Sequence, residues 1–114
     1  MAMQRAKTRN IVVVMSGTPI KSSTWDLSCA YRDKGVPDIG SHYVILEDGD
    51  VISGRPHSEH GNVDPRHNKD AVFIEIMGID PSAVTPHQQT AAQGVISRME
   101  ETYLNAEPLD YTTY

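Results

Sequence analysis

Asn10-Ile-Val-Val-Val-Met15 decides the fold class. Five apolar residues follow one another, four of them β-branched. That is the pattern of a central strand covered on both faces, not the alternation of a strand with one wet face. Ser16-Gly-Thr-Pro-Ile20 breaks the run. Thr24 is placed to cap a helix from Trp25 to Lys34, with Leu27, Ala30 and Tyr31 at helical spacing and Gly35 as its stop. After the turn-rich Gly35-Val-Pro-Asp-Ile-Gly40, two short strands, His42 to Leu46 and Val51 to Gly54, flank Glu47-Asp-Gly-Asp50. Its Asp-Gly step suits the positive φ of a hairpin turn. Arg55 to Asp70 has little apolar content and reads as a long ordered or functional loop. Ala71 to Met77 alternates, Val72, Ile74 and Ile76 facing one way and Phe73, Glu75 and Met77 the other.

Thr85-Pro-His-Gln88 opens the last helix with an N-cap, a proline in the first turn and a glutamine where a capping box wants it. Ala92, Val95, Ile96, Met99 and Tyr103 form its apolar stripe, and Asn105 ends it. Gly94 weakens this helix by up to about 1 kcal/mol relative to alanine unless close packing needs the missing side chain. The tail to Tyr114 reads as an edge strand or a loose segment. The resulting fold class is α/β, a mixed central sheet flanked by helices.

The 114 residues, 39% hydrophobic and 22% charged, fit one domain over residues 10–114 preceded by a flexible basic stretch over 1–9. The longest apolar run, Ile11 to Met15, is too short for a membrane helix or a secretory signal, so the sequence reads as soluble and intracellular. A single cysteine, Cys29, excludes an internal disulfide and a cysteine-rich zinc site, and within an amphipathic helix it reads as a small core residue. Ten Lys plus Arg against fifteen Asp plus Glu exclude general attraction to nucleic acid or anionic lipid.

Taken together, three stretches resemble the zinc amidases that cleave N-acetylmuramoyl-L-alanine bonds. Their fold is shared with peptidoglycan recognition proteins and the lysozyme-amidases of short-tailed coliphages. Ile11-Val-Val-Val-Met-Ser-Gly-Thr18 is similar to the first strand of that family, and Ser41 to Arg55 to its hairpin. Gly61 through Asn68 to Ala71-Val-Phe-Ile-Glu-Ile-Met-Gly78 is similar to its loop and next strand, and the Thr85-Pro helix also fits. The resemblance implies a zinc held by three protein ligands with a fourth position open for water. It places Val14 where the family has its first histidine ligand, Ser41 where a tyrosine stands beside the metal, and Val63 where the long loop carries a histidine. The remaining ligands fall beyond the last helix, so the chain is expected to be C-terminally shortened. Valine cannot bind zinc. The expectation is therefore a non-catalytic amidase-fold protein without metal or cofactor.

Other chemistry is sought in the loop. His57, His60 and His67, with His42 nearby, form a conceivable three-histidine metal site, although loop histidines more often serve as hydrogen-bonding residues. Arg55, Arg66 and Lys69 with those histidines set a positive patch against Glu59 and Asp64. With Ser41, His42, Arg55, His60, Arg66, His67 and Lys69 as ligand-binding residues, it suits a small anionic ligand such as a nucleotide signal. Trp25 and Tyr31 are expected to anchor the first helix; Glu75 reads either as a buried acid with a raised pKa or as a residue pointing to solvent, and an edge location favours the second. Tyr103, Tyr111 and Tyr114 serve a protein contact or ordinary packing. The leading expectation is a phage-encoded inhibitor-like protein in the cytoplasm of the bacterial host, binding such a ligand or a host protein. The alternatives are a peptidoglycan-fragment binding module and a zinc amidase with a relocated metal site.

Overall fold

The computed structural model describes residues 8–103 in full and one further strand, Glu107–Thr113, by its backbone. The elements run β1 (Asn10–Met15), α1 (Thr24–Asp33), β2 (Tyr43–Ile45), β3 (Val51–Ser53), β4 (Ala71–Ile76), a 3₁₀ turn (Pro81–Ala83), α2 (Pro86–Thr102) and β5 (Glu107–Thr113). They build a mixed sheet in the order β3-β2-β4-β1-β5. β1 lies parallel to both β4 and β5, β2 is parallel to β4, and only the β2–β3 hairpin is antiparallel. The mixed sheet with helices is the architecture expected from the sequence, and β5 resolves the tail as a strand.

Position in the sheet explains composition. β1 and β4 are inner strands, and Ile11 through Met15 and all of β4 are buried. The expectation that Glu75 sits on an edge and faces water is therefore corrected: β4 lies between β2 and β1, and Glu75 is only 4% exposed. On one face, Ile11, Val13, Met15, Ile45, Val72, Ile74 and Ile76 pack against Ala92, Val95 and Met99 of α2. The opposite face carries two smaller clusters. One is Val12, Val14, Ala71 and Phe73, the other Leu27, Tyr31, Val44 and Met77, and Val63 packs against both.

α2 starts as its sequence dictates. Thr85 Oγ1 accepts the Gln88 amide proton, and Gln88 Oε1 accepts that of Thr85. The same two side chains fasten the helix to the sheet: Thr85 Oγ1 donates to the Glu47 carbonyl and Gln88 Nε2 to that of Met77, both at 2.8 Å. Two of the orphan amides at the helix start, those of Thr85 and Gln88, are thereby satisfied. α1 begins one residue earlier than expected, at a Ser23 cap. Asp26, three residues on, closes a capping box with Ser23, and its carboxyl is held below the usual range by the bonds to Ser23. Trp25 is 64% exposed, so it does not anchor α1; Arg32 lies over its ring at 5.2 Å. Tyr31 is buried as expected, and Cys29 is half-buried.

The hairpin turn places Gly49 at φ +91°, the conformation for which glycine is favoured. The Arg9 amide donates to the Asp70 carbonyl at 2.7 Å. Residues 1–7, Asn105 and Tyr114, and the side chain of Tyr111, lie outside the described residues. Among those described, no helix is long and apolar enough to cross a membrane.

Candidate functional site

The chemistry collects on the sheet face opposite α2. Alternation along β4 turns Phe73, Glu75 and Met77 toward α1, while Val72, Ile74 and Ile76 serve the α2 side. Glu75 arrives beneath Tyr31 of α1 and beside Ser41. The Tyr31 hydroxyl donates to Glu75 Oε1 at 2.8 Å, and Ser41 Oγ donates to the same oxygen at 3.0 Å. Oε2 takes no hydrogen bond from any described residue and is not sealed from solvent. Burial pushes the Glu75 carboxyl above the ordinary carboxylate range, against the pull of the two hydroxyls and the positive charge of Lys34. Burial and the neighbouring Glu75 likewise hold the Tyr31 phenol well above its usual range.

A cavity of about 210 Å³ stands over this group, lined by Tyr31, Lys34, Val36, Asn62, Val63, Pro65 and Glu75. Two larger hollows, about 440 Å³ along Ile20–Ser23 and Leu46–Asp48 and about 380 Å³ around Arg55 and Glu59, are more open and hold no buried ionisable group. The smaller cavity is where charge is held away from water, so it is the better candidate.

Three positions singled out by the sequence meet here. Val14 is fully buried and pairs with Glu75 in the β1–β4 register. Ser41 bonds Glu75, and Val63 lines the cavity. Two valines and a serine do not fit a zinc ion, and among the described residues no group of three His, Cys, Asp or Glu side chains could hold one. The loop histidines are not gathered at one point either. His42 Nδ1 accepts the Phe73 amide proton at 3.0 Å, which leaves Nε2 to donate to the Glu59 carbonyl at 2.9 Å. His57 is bonded to the hydroxyls of Tyr43 and Tyr103 at 2.6 and 3.0 Å. Tyr103 thus serves internal packing.

The residues expected to hold an anion divide. Ser41 and His42 are 0% and 1% exposed, with their polar atoms engaged inside the protein. Arg55 is brought to His60, donating to its carbonyl at 3.2 Å and to that of Ile39 at 3.1 Å. Arg66 grips Asp64 at 2.8 Å, and His67 Nδ1 stands 3.6 Å from Asp70. Lys69 is exposed. Sequence reasoning weighed Glu75 as a buried acid but did not join it to Tyr31, Lys34 and Asn62, the cluster that the fold builds. The available signal was one acid inside an otherwise apolar strand.

No protein-family model matches the chain. One curated relative, the endolysin of Enterobacteria phage K11, is 33% identical over 82 residues, 67% of this chain and 54% of the endolysin. The chain thus spans about half the length of the curated relative it matches. Among solved structures, the Ph2119 endolysin from the Thermus scotoductus MAT2119 bacteriophage superposes with a TM-score of 0.80 at 18% identity, covering 94% of this chain and 75% of that one. The N-acetylmuramoyl-L-alanine amidase LysC from Clostridium intestinale gives 0.75 at 22% identity over 89% and 70%. Human PGRP-IBETAC in complex with glycosamyl muramyl pentapeptide gives 0.76 at 17% over 90% and 69%. The expectation of a protein that is not an enzyme is corrected by these relatives, which are named endolysins and amidases; no observation shows this chain to be inactive. What the chain shares with all of them is architecture: its fold is that of the N-acetylmuramoyl-L-alanine amidases, phage endolysins and peptidoglycan recognition proteins.

Proposed function

We propose that this chain is a peptidoglycan-directed domain of endolysin type, which receives a muramyl peptide on the sheet face opposite α2. The observation that carries the reading is the cavity over Glu75. It combines apolar walls from Val36, Val63 and Pro65 with polar groups from Asn62, Tyr31 and Glu75, the mixture a peptide with both methyl and amide groups requires. Support comes from the shared fold, since the human recognition protein was solved holding a muramyl peptide. Isothermal titration with a muramyl pentapeptide, with mass spectrometry of the same samples for amide cleavage, tests it. Stoichiometric binding weakened by Val63→Glu, with or without cleavage, is the expected result. No binding and no cleavage of any peptidoglycan fragment sinks the reading.

A second reading rests on exposure. The side chain of Arg66 is 71% exposed despite its bond to Asp64, and Lys69, three residues on, is exposed as well. With Arg55, His60 and His67 these cations suit a small anionic ligand such as a nucleotide, or an acidic surface of a host protein in the bacterial cytoplasm. A nucleotide titrated in the same series separates the two. Binding lost in Arg66→Ala but kept in Val63→Glu favours the loop over the cavity.

A further inference from the structure

We propose that the cavity over Glu75 is a subsite for a small zwitterion, whose ammonium group meets Glu75 Oε2 and whose carboxylate lies toward Lys34. Four observations lead there. The carboxyl group of Glu75 is lodged in a central strand, and both donors that reach it, Tyr31 and Ser41, end on the same oxygen. Among the described residues no cation forms an ion pair with Glu75, so the second oxygen is left for a guest. Lys34 stands exposed at the cavity rim, its Nζ 5.8 Å from the centre of the Tyr31 ring. Besides Asn62, the rest of the lining is aliphatic, Val36, Val63 and Pro65, which matches the methylene chain of an amino acid. The size agrees: about 210 Å³ equals about seven water volumes, room for a molecule of amino-acid size but below the range of drug-sized pockets.

The electrostatics favour this occupant over a simple amine or a simple acid. A lone ammonium meets Glu75 but is repelled by Lys34 at the mouth, and a lone carboxylate gains Lys34 but faces Glu75 below. A zwitterion answers both. Of the ionisable groups near Glu75, Tyr31 and Lys34 come from α1 and its C-cap, and Arg55 acts on Tyr31 from the loop. The lining that β1 and residues 62–65 contribute to this corner, Val14, Asn62, Val63 and Pro65, carries no charge, and the buried Asp64 among them is paired with Arg66 at 2.8 Å. Because burial disfavours the charged form of Glu75, an arriving ammonium drives its proton off, so binding releases a proton and tightens as pH rises.

The subsite goes beyond the peptidoglycan reading and does not require it. Titration calorimetry of the full chain with 5-aminopentanoate, its N-acetyl derivative and pentylamine, in buffers of different ionisation heat, is the test. The expected result is proton release with 5-aminopentanoate and binding at least about ten-fold weaker for the N-acetyl derivative. Glu75→Gln, which keeps an oxygen for Tyr31 and Ser41, removes both the discrimination and the proton release. Lys34→Gln, at an exposed position that does not threaten folding, removes the preference for 5-aminopentanoate over pentylamine. Equal binding of the amine and its N-acetyl derivative overturns the subsite, as does unchanged discrimination in a folded Glu75→Gln or no binding of 5-aminopentanoate at millimolar concentration. A muramyl pentapeptide titrated in parallel keeps the two proposals apart: its failure beside a bound 5-aminopentanoate refutes only the peptidoglycan reading, and the reverse refutes only the subsite.

Discussion

The two faces of the sheet are built from the same two strands but by different rules. Toward α2, one continuous cluster holds ten buried side chains, all apolar. Toward α1, the apolar surface is split into two clusters of four by Glu75 and Ser41, and Val63 spans both. The first face is a packing problem solved by interdigitation. The second gives up apolar burial to hold a carboxyl group under a cavity, with only the hydroxyls of Tyr31 and Ser41 to offset the cost. Stability therefore resides with α2, and the candidate chemistry with α1 and the loop of residues 55–70.

The sharpest way to break the comparison is to hollow out the α2 face. Ile74 is fully buried within the continuous cluster, and Ile74→Ala is expected to cost about 2–5 kcal/mol, read from chemical denaturation. The corresponding deletion on the other face is a hydroxyl. Tyr31→Phe removes the 2.8 Å donor to Glu75 and keeps the ring packed, so about 1–2 kcal/mol is expected. A cost for Tyr31→Phe equal to that of Ile74→Ala would show that the polar face carries as much stability as the apolar one.

The split also has a pH signature. Glu75 keeps its proton in the folded protein at pH values where the unfolded chain has lost it near 4.5. Between that value and the raised folded value the native state binds the extra proton, so stability falls as pH rises, by at most about 1.4 kcal/mol per pH unit. Below 4.5 the contribution is fully present. Glu75→Gln has no proton to lose, and its stability profile is expected to be flatter across that window. Urea denaturation of both proteins from pH 4 to pH 8 checks this, and parallel profiles would remove Glu75 from the account.

Legibility in the sequence follows the range of the interactions. The α2 stripe, the Thr85–Gln88 cap and the Asp-Gly turn are short-range features, and each stands where the spacing puts it. The start of α1 was readable to one residue, because Ser23 and Thr24 are both able caps and only the bond back from Asp26 chooses between them. Trp25 could have been placed outside from the helix period: at about 100° per residue it lies 200° from Leu27, on the wrong side for burial. Glu75 could not be placed so simply. Whether β4 is an edge or a centre depends on β1 and β2 joining it across at least 25 residues of intervening chain, which local alternation does not encode. The burial of Ser41 and His42 was illegible for the same reason: a polar residue near a strand start reads alike whether it faces a ligand or a buried partner.

The smallest effect concerns the outer surface of α2, where neither face of the sheet takes part. Gly94 sits in the middle of the helix, exposed, and a Cβ built there meets nothing within 4 Å. The close packing that would justify a glycine is therefore absent among the described residues. Alanine at this site lowers the backbone entropy of the unfolded chain and adds no clash, so Gly94→Ala is expected to stabilise by about 0.5–1 kcal/mol. The gain belongs to α2 and the continuous cluster beneath it, and leaves the cavity over Glu75 untouched. The melting temperature is expected to rise while 5-aminopentanoate binding stays the same. A loss of stability instead would mean that this part of α2 does not hold the helical backbone in solution, and the division of labour between the two faces would have to be redrawn with α2 as the weaker layer.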